Sequence, residues 1–439
     1  MSTENDMWKV PINRGMRDLD RTFFRKQVRL PSVCFACPKV IGQFLKSCSH
    51  DVLTIPRIKP VQMTSEGKVV LLKESINPDD MSTVSSSTKD FLRNNGTSVL
   101  PYLLWIDYDY WTAEEILDAI LPQGTGIETP SGFTTVGHIA HFNLRDDLLP
   151  FKYLIGQIIL DKNKQLRTVV NKVNTIDTEF RNFQMEVLAG EDDLITEQNE
   201  SDCNFRFDFS KVYWNSRLQT EHKRLISKFM PGQAIADVFA GVGPFAIPAA
   251  KNQVIAFAND LNPYSYESLR NNIKINKVQT LVHAYNRDGR SFIYEASYDL
   301  LALSRKKTAA KAVPKKSSRK KLVDESSSLP YPPVFSHYVL NLPATAIQFL
   351  TAFRGLYSKL GIRGDEQLPL LHVHCFSKAE DGEQEEDILD RLSKSLEFRM
   401  SREEVDIFYV RKVAPNKSMH CASFYLPEKV AYSPIYSAV

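Results

Sequence analysis

The sequence predicts an α/β protein whose larger, C-terminal part is a Rossmann-like sheet, preceded by two smaller α+β domains. Three observations carry this. A short apolar run at 234–238 leads into Asp237-Val-Phe-Ala-Gly-Val-Gly-Pro-Phe245 and then into small apolar residues that begin a helix. Further short runs at 254–258, 281–285 and 338–340 have the length of buried strands. Each ends in polar residues or glycine: Asn259-Asp260-Leu261-Asn262, Asn286-Arg287-Asp288-Gly289 and Asn341-Leu342-Pro343. Parallel strands would carry all four tips to one edge, where α/β sheets bind their ligands.

At the first tip, Gly241 and Gly243 supply backbone freedom and close approach to a ligand. The spacing is not G-x-G-x-x-G, because Ala246 holds the third position, and no Gly-Lys-Ser/Thr follows to make a P-loop. Alone, such a pair fits an ordinary tight turn equally well. The downstream tips decide for a ligand site. Asp260 is placed for a ribose diol, and the repeated placement of acid and glycine suits a class I S-adenosylmethionine methyltransferase better than other nucleotide binders.

A chain of 439 residues with 43% apolar and 24% charged residues holds two or three soluble domains. A net charge of +3 makes any nucleic-acid surface local rather than global. Six scattered cysteines fit a reducing compartment, and no apolar run is long enough to span a membrane. The N-terminus, with Arg14, Arg17, Arg21, Arg25, Lys26 and Arg29, has a basic character shared with mitochondrial presequences. Asp18 and Asp20 interrupt it and favour a basic surface helix.

The first domain, 1–126, carries Cys34-x-x-Cys37 with Cys48 and His50 beyond. The amphipathic helix expected at 39–46 would strain a zinc ligand set, so packed thiols are expected. Strands are expected at 52–57 and 68–73, a polar connector at 76–96 and a helix at 112–121. The second domain, 127–204, reads as a strand at 133–142, a helix at 154–161, strands at 167–173 and 180–190, and an acidic hairpin or loop at 191–202. The third, 205–439, opens with a helix from 217 to 230 capped by Asn215-Ser216, which delivers Glu221 and His222 to the cofactor domain. A lysine-rich insertion at 305–321 has the composition of a disordered loop: a nuclear localisation signal, a phosphate-binding arm or a solvated insertion. The sheet resumes at 368–376, where His372 and His374 share a strand face without a third metal ligand. A helix starts in the acidic stretch 380–387, and a last strand follows at 421–426.

Four motifs together resemble the tRNA (guanine-37 N1)-methyltransferases of eukaryotes and archaea. They are Tyr213-Trp-Asn-Ser-Arg217-Leu-x-x-Glu221-His222, Asp237-x-Phe-Ala-Gly-Val-Gly-Pro-Phe245, Asn341-Leu-Pro343 and Arg411-x-Val-Ala-Pro415. The resemblance covers about two thirds of the chain, from Gly132 onward. It implies a class I fold beside an RNA-contacting domain, S-adenosylmethionine as donor, and methylation of the base 3′ of the anticodon. It further implies a monomer serving cytosolic and mitochondrial tRNAs; with the lysine-rich run, cytoplasmic, nuclear and mitochondrial pools are expected.

Guanine N1 carries a proton and needs a base before it can attack a methyl group, and the charge left behind spreads onto O6. The resemblance gives Glu221 the role of general base and sets Arg181 against O6, with Tyr213 and Asn341 positioning the guanine. It places His222, Asp237, Gly241, Gly243, Asp260, Leu261, Asp288, Gly289 and Asn341 around the cofactor, Asp260 toward the ribose and Asp288 toward the adenine amine. No metal is implied. Leu342 and Ala344 replace the proline and aromatic of the Asn/Asp-Pro-Pro-Tyr/Phe motif and count against amino-group methylation. Two alternatives stand beside this: an aminocarboxypropyl transferase of the wybutosine pathway, and a non-catalytic tRNA-binding factor.

Overall fold

The computed structural model describes residues 6–35, 37–65, 67–122, 132–176, 183–312, 329–362, 364, 366–380 and 382–434. The chain divides into two compact units. One comprises 1–133, 142–165 and 188–190; the other comprises 134–141, 166–187 and 191–439. The middle segment 127–204 is thus shared between the two.

In the first unit, strands β1 (Lys26–Phe35), β2 (Val61–Thr64), β3 (Gly67–Leu71) and β4 (Val99–Ile106) form an antiparallel sheet in the order β2-β3-β1-β4. Helices α1 (Pro38–Ser47) and α2 (Ser86–Asn94) close its core, where Phe44 meets Phe35 and Phe91 at 5.1 and 5.3 Å between ring centroids. Helix α3 (Ala113–Ile120) starts at a capping box in which Thr112 and Glu115 satisfy each other's backbone amides. Helix α4 (Lys152–Lys162) belongs to the same unit.

Several expectations for this region change. The strand expected at 52–57 is only an isolated bridge from Val52 to Leu72. The polar connector 76–96 contains α2, because Ser85 caps it and Thr88 and Leu92 share its buried face. Among the described residues no α-helix precedes β1: a 3-10 turn at Arg21–Phe24, capped by Asp20, leads into it. Cys48 is buried, whereas Cys34 is half-buried and Cys37 exposed.

Strands β5 (Thr134–Val136), β6 (Ile139–Phe142), β7 (Thr168–Ile176) and β8 (Phe183–Gly190) form a second four-stranded sheet. The single strand expected at 133–142 is broken by a turn at Gly137, whose φ of +53° suits glycine. Of the hairpin and the loop expected at 191–202, the structure forms the hairpin. It holds β9 (Ile195–Glu200), which pairs with β10 (Cys203–Asp208) through a turn whose Ser201 and Asp202 both have positive φ. Alternation turns Thr196 and Glu200 inward, so a strand forms despite the high charge.

The central sheet has seven strands: β11 (Ala234–Asp237), β12 (Ile255–Asn259), β13 (Val282–Tyr285), β14 (His337–Leu340), β15 (Leu370–Ser377), β16 (Asp406–Ala414) and β17 (Lys417–Tyr425). Their order is β13-β12-β11-β14-β15-β17-β16. The first five are parallel and β17 is antiparallel to both neighbours. Parallel neighbours require crossovers, and apolar helices supply them on both faces. Helices α5 (Gln219–Ile226), α6 (Ala246–Lys251) and α7 (Pro263–Ile275) pack on one face. Helices α8 (Gly289–Ala312), α9 (Leu356–Leu360), α10 (Gln384–Leu396) and α11 (Glu428–Ala431) pack on the other with the 3-10 helix Ala346–Phe353. Residues 305–312, expected in a loop, are the end of α8; 313–321 lie outside the described residues. Helix α5 ends at Ile226, short of the expected 230. His372 and His374 are fully buried, and His372 bridges His337 and Ser423 at 3.1 and 2.9 Å.

Candidate active site

The register brings the ends of β11, β12, β13 and β14 to one edge of the sheet, and polar side chains join the loops that follow. Asn259 donates to the carbonyls of Val238 and Arg287, at 3.1 and 3.0 Å, and accepts from the Arg287 amide at 2.9 Å. Asn286 donates to the carbonyls of Asp260 and Leu261. The Asp260 carboxylate accepts from the amides of Gly241 and Asn262, at 2.8 and 2.9 Å. Three successive strand tips therefore form one rigid rim.

Under this rim lies a cavity of about 330 Å³. Of the residues expected at the site, Tyr213, Gly241, Asp260, Leu261, Asp288, Gly289 and Asn341 line it. Arg181 lies outside the described residues. Glu221, His222, Asp237 and Gly243 do not line the cavity. Gly243 is a packing position: a Cβ there would meet Ile247 and Leu269 side-chain carbons at 2.7 and 2.8 Å. His222 faces Glu200 at 2.5 Å and the edge of Phe245, so its contacts are structural. Sequence reasoning missed Asn215, Phe239, Asn259, Arg287, Phe349, Phe376 and Arg411, which also line the cavity. Phe239 and Arg411 sat inside motifs already singled out. Phe349 and Phe376 carried no local signal, because only the packing of the 3-10 helix and β15 turns them toward the rim.

Asp237 is fully buried, with neither carboxylate oxygen in a hydrogen bond. Burial and the neighbouring Asp260 push it up to about 8, partly offset by His374 and the nearby Phe239 amide. Burial likewise raises Asp260 to about 6, against its two amide donors. Asp288 uses one oxygen to cap α8, accepting from the Arg290 amide at 2.9 Å.

Glu221 differs in kind. Arg224 holds both its oxygens, at 2.6 and 2.8 Å, and His374 Nε2 lies 2.8 Å from Oε1. Burial opposes its charge, but these two cations outweigh burial and hold the carboxyl at about 2. His374 is raised to about 10, because Cys421 and Glu221 outweigh its own burial. The ligand-type atoms of Glu221, His374 and Cys421 lie within 4.8 Å of one another. The Arg224 guanidinium on the carboxylate nevertheless makes this a poor place for a metal cation.

The walls fit an adenosine-type cofactor. Gly241 has φ +55° and open space where a Cβ would stand, so a ligand can lie against its backbone. Phe239, Leu261 and Phe349 offer apolar faces, Asp260 and Asp288 offer acids, and Asn341 keeps a buried Oδ1 without a partner.

A seven-stranded sheet of this order, with its cavity at the carboxyl ends and an acid after the second strand, defines a class I S-adenosylmethionine-dependent methyltransferase. A family model described as the TRM5/TYW2 methyltransferase domain matches residues 196–325, and one described as the TYW2 N-terminal domain matches 113–193. The tRNA (guanine(37)-N(1))-methyltransferase of Schizosaccharomyces pombe is 51% identical over 430 residues, covering 97% of each chain. That of Saccharomyces cerevisiae is 42% identical over 474 residues, covering 96% of this chain and 95% of its own. The chain belongs to the tRNA (guanine(37)-N(1))-methyltransferase family. The fold is shared with Trm5b of Pyrococcus abyssi (TM-score 0.55, 20% identity, 91% of this chain and 99% of that one). It is shared too with aTrm5 in its complex with tRNALeu (TM-score 0.58, 20% identity, 91% and 100%).

Proposed function

We propose that this chain methylates N1 of guanosine-37 in tRNA, as the names of its curated relatives state for them. The observation that carries it is a single cavity with two kinds of wall. Gly241, Asp260, Leu261 and Asp288 suit the cofactor, while Tyr213, Asn341 and Pro343 suit a planar base. S-adenosylmethionine supplies the sulfonium methyl group, whose transfer is an in-line attack that depends on positioning.

The protein's own groups then have three tasks. Tyr213, half exposed at the wall, offers its ring to the guanine, and its hydroxyl accepts from Asn215 at 3.3 Å. Asn341 presents its free acceptor to a base N–H. Glu221 is proposed as the base that takes the N1 proton, and Arg181 as the cation at O6. A carboxyl held at about 2 is a weak acceptor, so Glu221 acts after its side chain leaves Arg224 and His374 and turns to the guanine. The division into domains 1–126, 127–204 and 205–439, with an RNA-contacting role for the middle one, belongs to the same proposal. So do a monomeric state and cytoplasmic, nuclear and mitochondrial pools, which fractionation of cells would check.

The deciding experiment is methyl transfer to unmodified tRNA transcripts that differ only at position 37, G against A, with the product nucleoside identified by mass. Formation of N1-methylguanosine on the G37 transcript alone is the expected result. An aminocarboxypropyl adduct, or RNA binding without transfer, would replace the proposal with one of its two alternatives.

A further inference from the structure

Three large apolar side chains stay exposed beside the cavity: Tyr213 at 51%, Leu261 at 48% and Tyr264 at 49% relative accessibility. Tyr213 and Leu261 line the cavity, but Tyr264 does not. It stands on the first turn of α7, between the cavity-lining Asn262 and Ser265. Its ring carries the Lys211 ammonium 5.2 Å from the centroid.

Tyr264 is held in place. The Asn262 side chain accepts from the Tyr264 amide at 3.0 Å and donates to the Lys211 carbonyl at 2.7 Å, tying the start of α7 to the segment that carries Tyr213 and Asn215. Asp208 fixes the ammonium at 3.0 Å. An aromatic face kept in water next to a cation, on a braced backbone, is the arrangement that single-stranded RNA uses for stacking. A target base must leave its stack to enter a cavity of this kind, and its neighbour then loses one face of contact.

We infer that Tyr264, with Lys211 over it, is a stacking platform for the nucleobase adjacent to the target base. This rests on the proposal that the substrate is RNA with an extruded base. It adds a second binding position, outside the cavity, that restores the lost stacking and helps hold the loop open.

The test combines a protein change with an RNA change. Steady-state methylation is measured for the wild type, Tyr264→Ala and Tyr264→Phe on the intact tRNA transcript and on transcripts abasic at position 36 or 38. Transcript Kd is measured in parallel, and S-adenosylmethionine affinity serves as the check on folding. Tyr264→Ala is expected to raise KM and transcript Kd about tenfold with kcat and cofactor affinity unchanged, while Tyr264→Phe behaves as wild type. Removing the stacked neighbour should weaken the wild type by a similar factor and cost Tyr264→Ala nothing more. Unchanged KM and Kd in Tyr264→Ala, or multiplying effects of the two changes at both positions, would overturn the platform. A wild type that binds the transcript but transfers no methyl group would instead remove the proposed reaction, and the Kd values would still decide the platform.

Discussion

His374 Nε2 stands 2.8 Å from Glu221 Oε1, with His374 fully buried and Glu221 nearly so. With Arg224 on the same carboxylate, two cations face one anion beneath α5. The group expected as general base is therefore also an anchor of the fold.

The first prediction concerns stability. Glu221 is depressed to about 2, so its contribution is present above the ordinary carboxylate range and lost as pH falls toward 2. His374 is raised to about 10, so its contribution is present below the ordinary imidazole range and lost as pH rises through 10. The pair is thus fully effective near pH 5 to 6 (roughly, from the reference values). Glu221→Gln takes the carboxylate from the buried His374 and the half-buried Arg224 and should cost about 3–5 kcal/mol at that pH. Denaturant melts across pH would show the loss and a flattened pH dependence.

A second prediction separates anchor from base. If Glu221 leaves its cations when it acts, the acid limb of kcat on saturating tRNA lies near the ordinary carboxylate value, about 4.3, or higher if the site is dry. A pH–rate profile flat down to the limit of folding would show that Glu221 stays in its ion pair and that another group takes the proton.

Asp237 gives a third. Its raised value, about 8, means that the apo protein loses stability as pH rises from the ordinary carboxylate range through 8. The sulfonium of a cofactor in the cavity lined by its neighbours Phe239 and Asp260 would favour its ionisation through space. S-adenosylmethionine affinity should therefore tighten between pH 6 and pH 9 (approximate limits set by that linkage). Asp237→Asn should raise the apo Tm at alkaline pH and weaken the cofactor about tenfold. Calorimetry and thermal melts would check both.

The two motif glycines should fail in different ways. Gly243→Ala drives a methyl into Ile247 and Leu269 at φ +102°, and should lower stability by about 1–3 kcal/mol. Gly241→Ala meets open space at φ +55°, so its larger effect should be on cofactor Kd. A melt and a titration on each variant would distinguish them.

Much of the catalytic half was legible because parallel strands are short, apolar and end abruptly. The tips at Asp237, Asp260, Asp288 and Asn341 come from contiguous stretches, and the register that aligns them follows from burying both sheet faces. Elsewhere the local signal said less. The charge of 191–202 left hairpin and loop equally open, and the structure takes the hairpin, since only every second residue of β9 is buried. The serines of 76–96 hid the start of α2, since serine marks a cap as readily as a loop.

The sequence by itself therefore determined the kind of fold, the cofactor edge and the family, because these depend on residues adjacent along the chain. Tertiary structure decided the state of each group. Glu221 is an anchored anion because His374, far away in sequence, arrives on β15 beside it. Asp237 is protonation-prone because the sheet closes around it without a donor in hydrogen-bond geometry. Charge states depend on what burial brings near, and no sequence spacing records that.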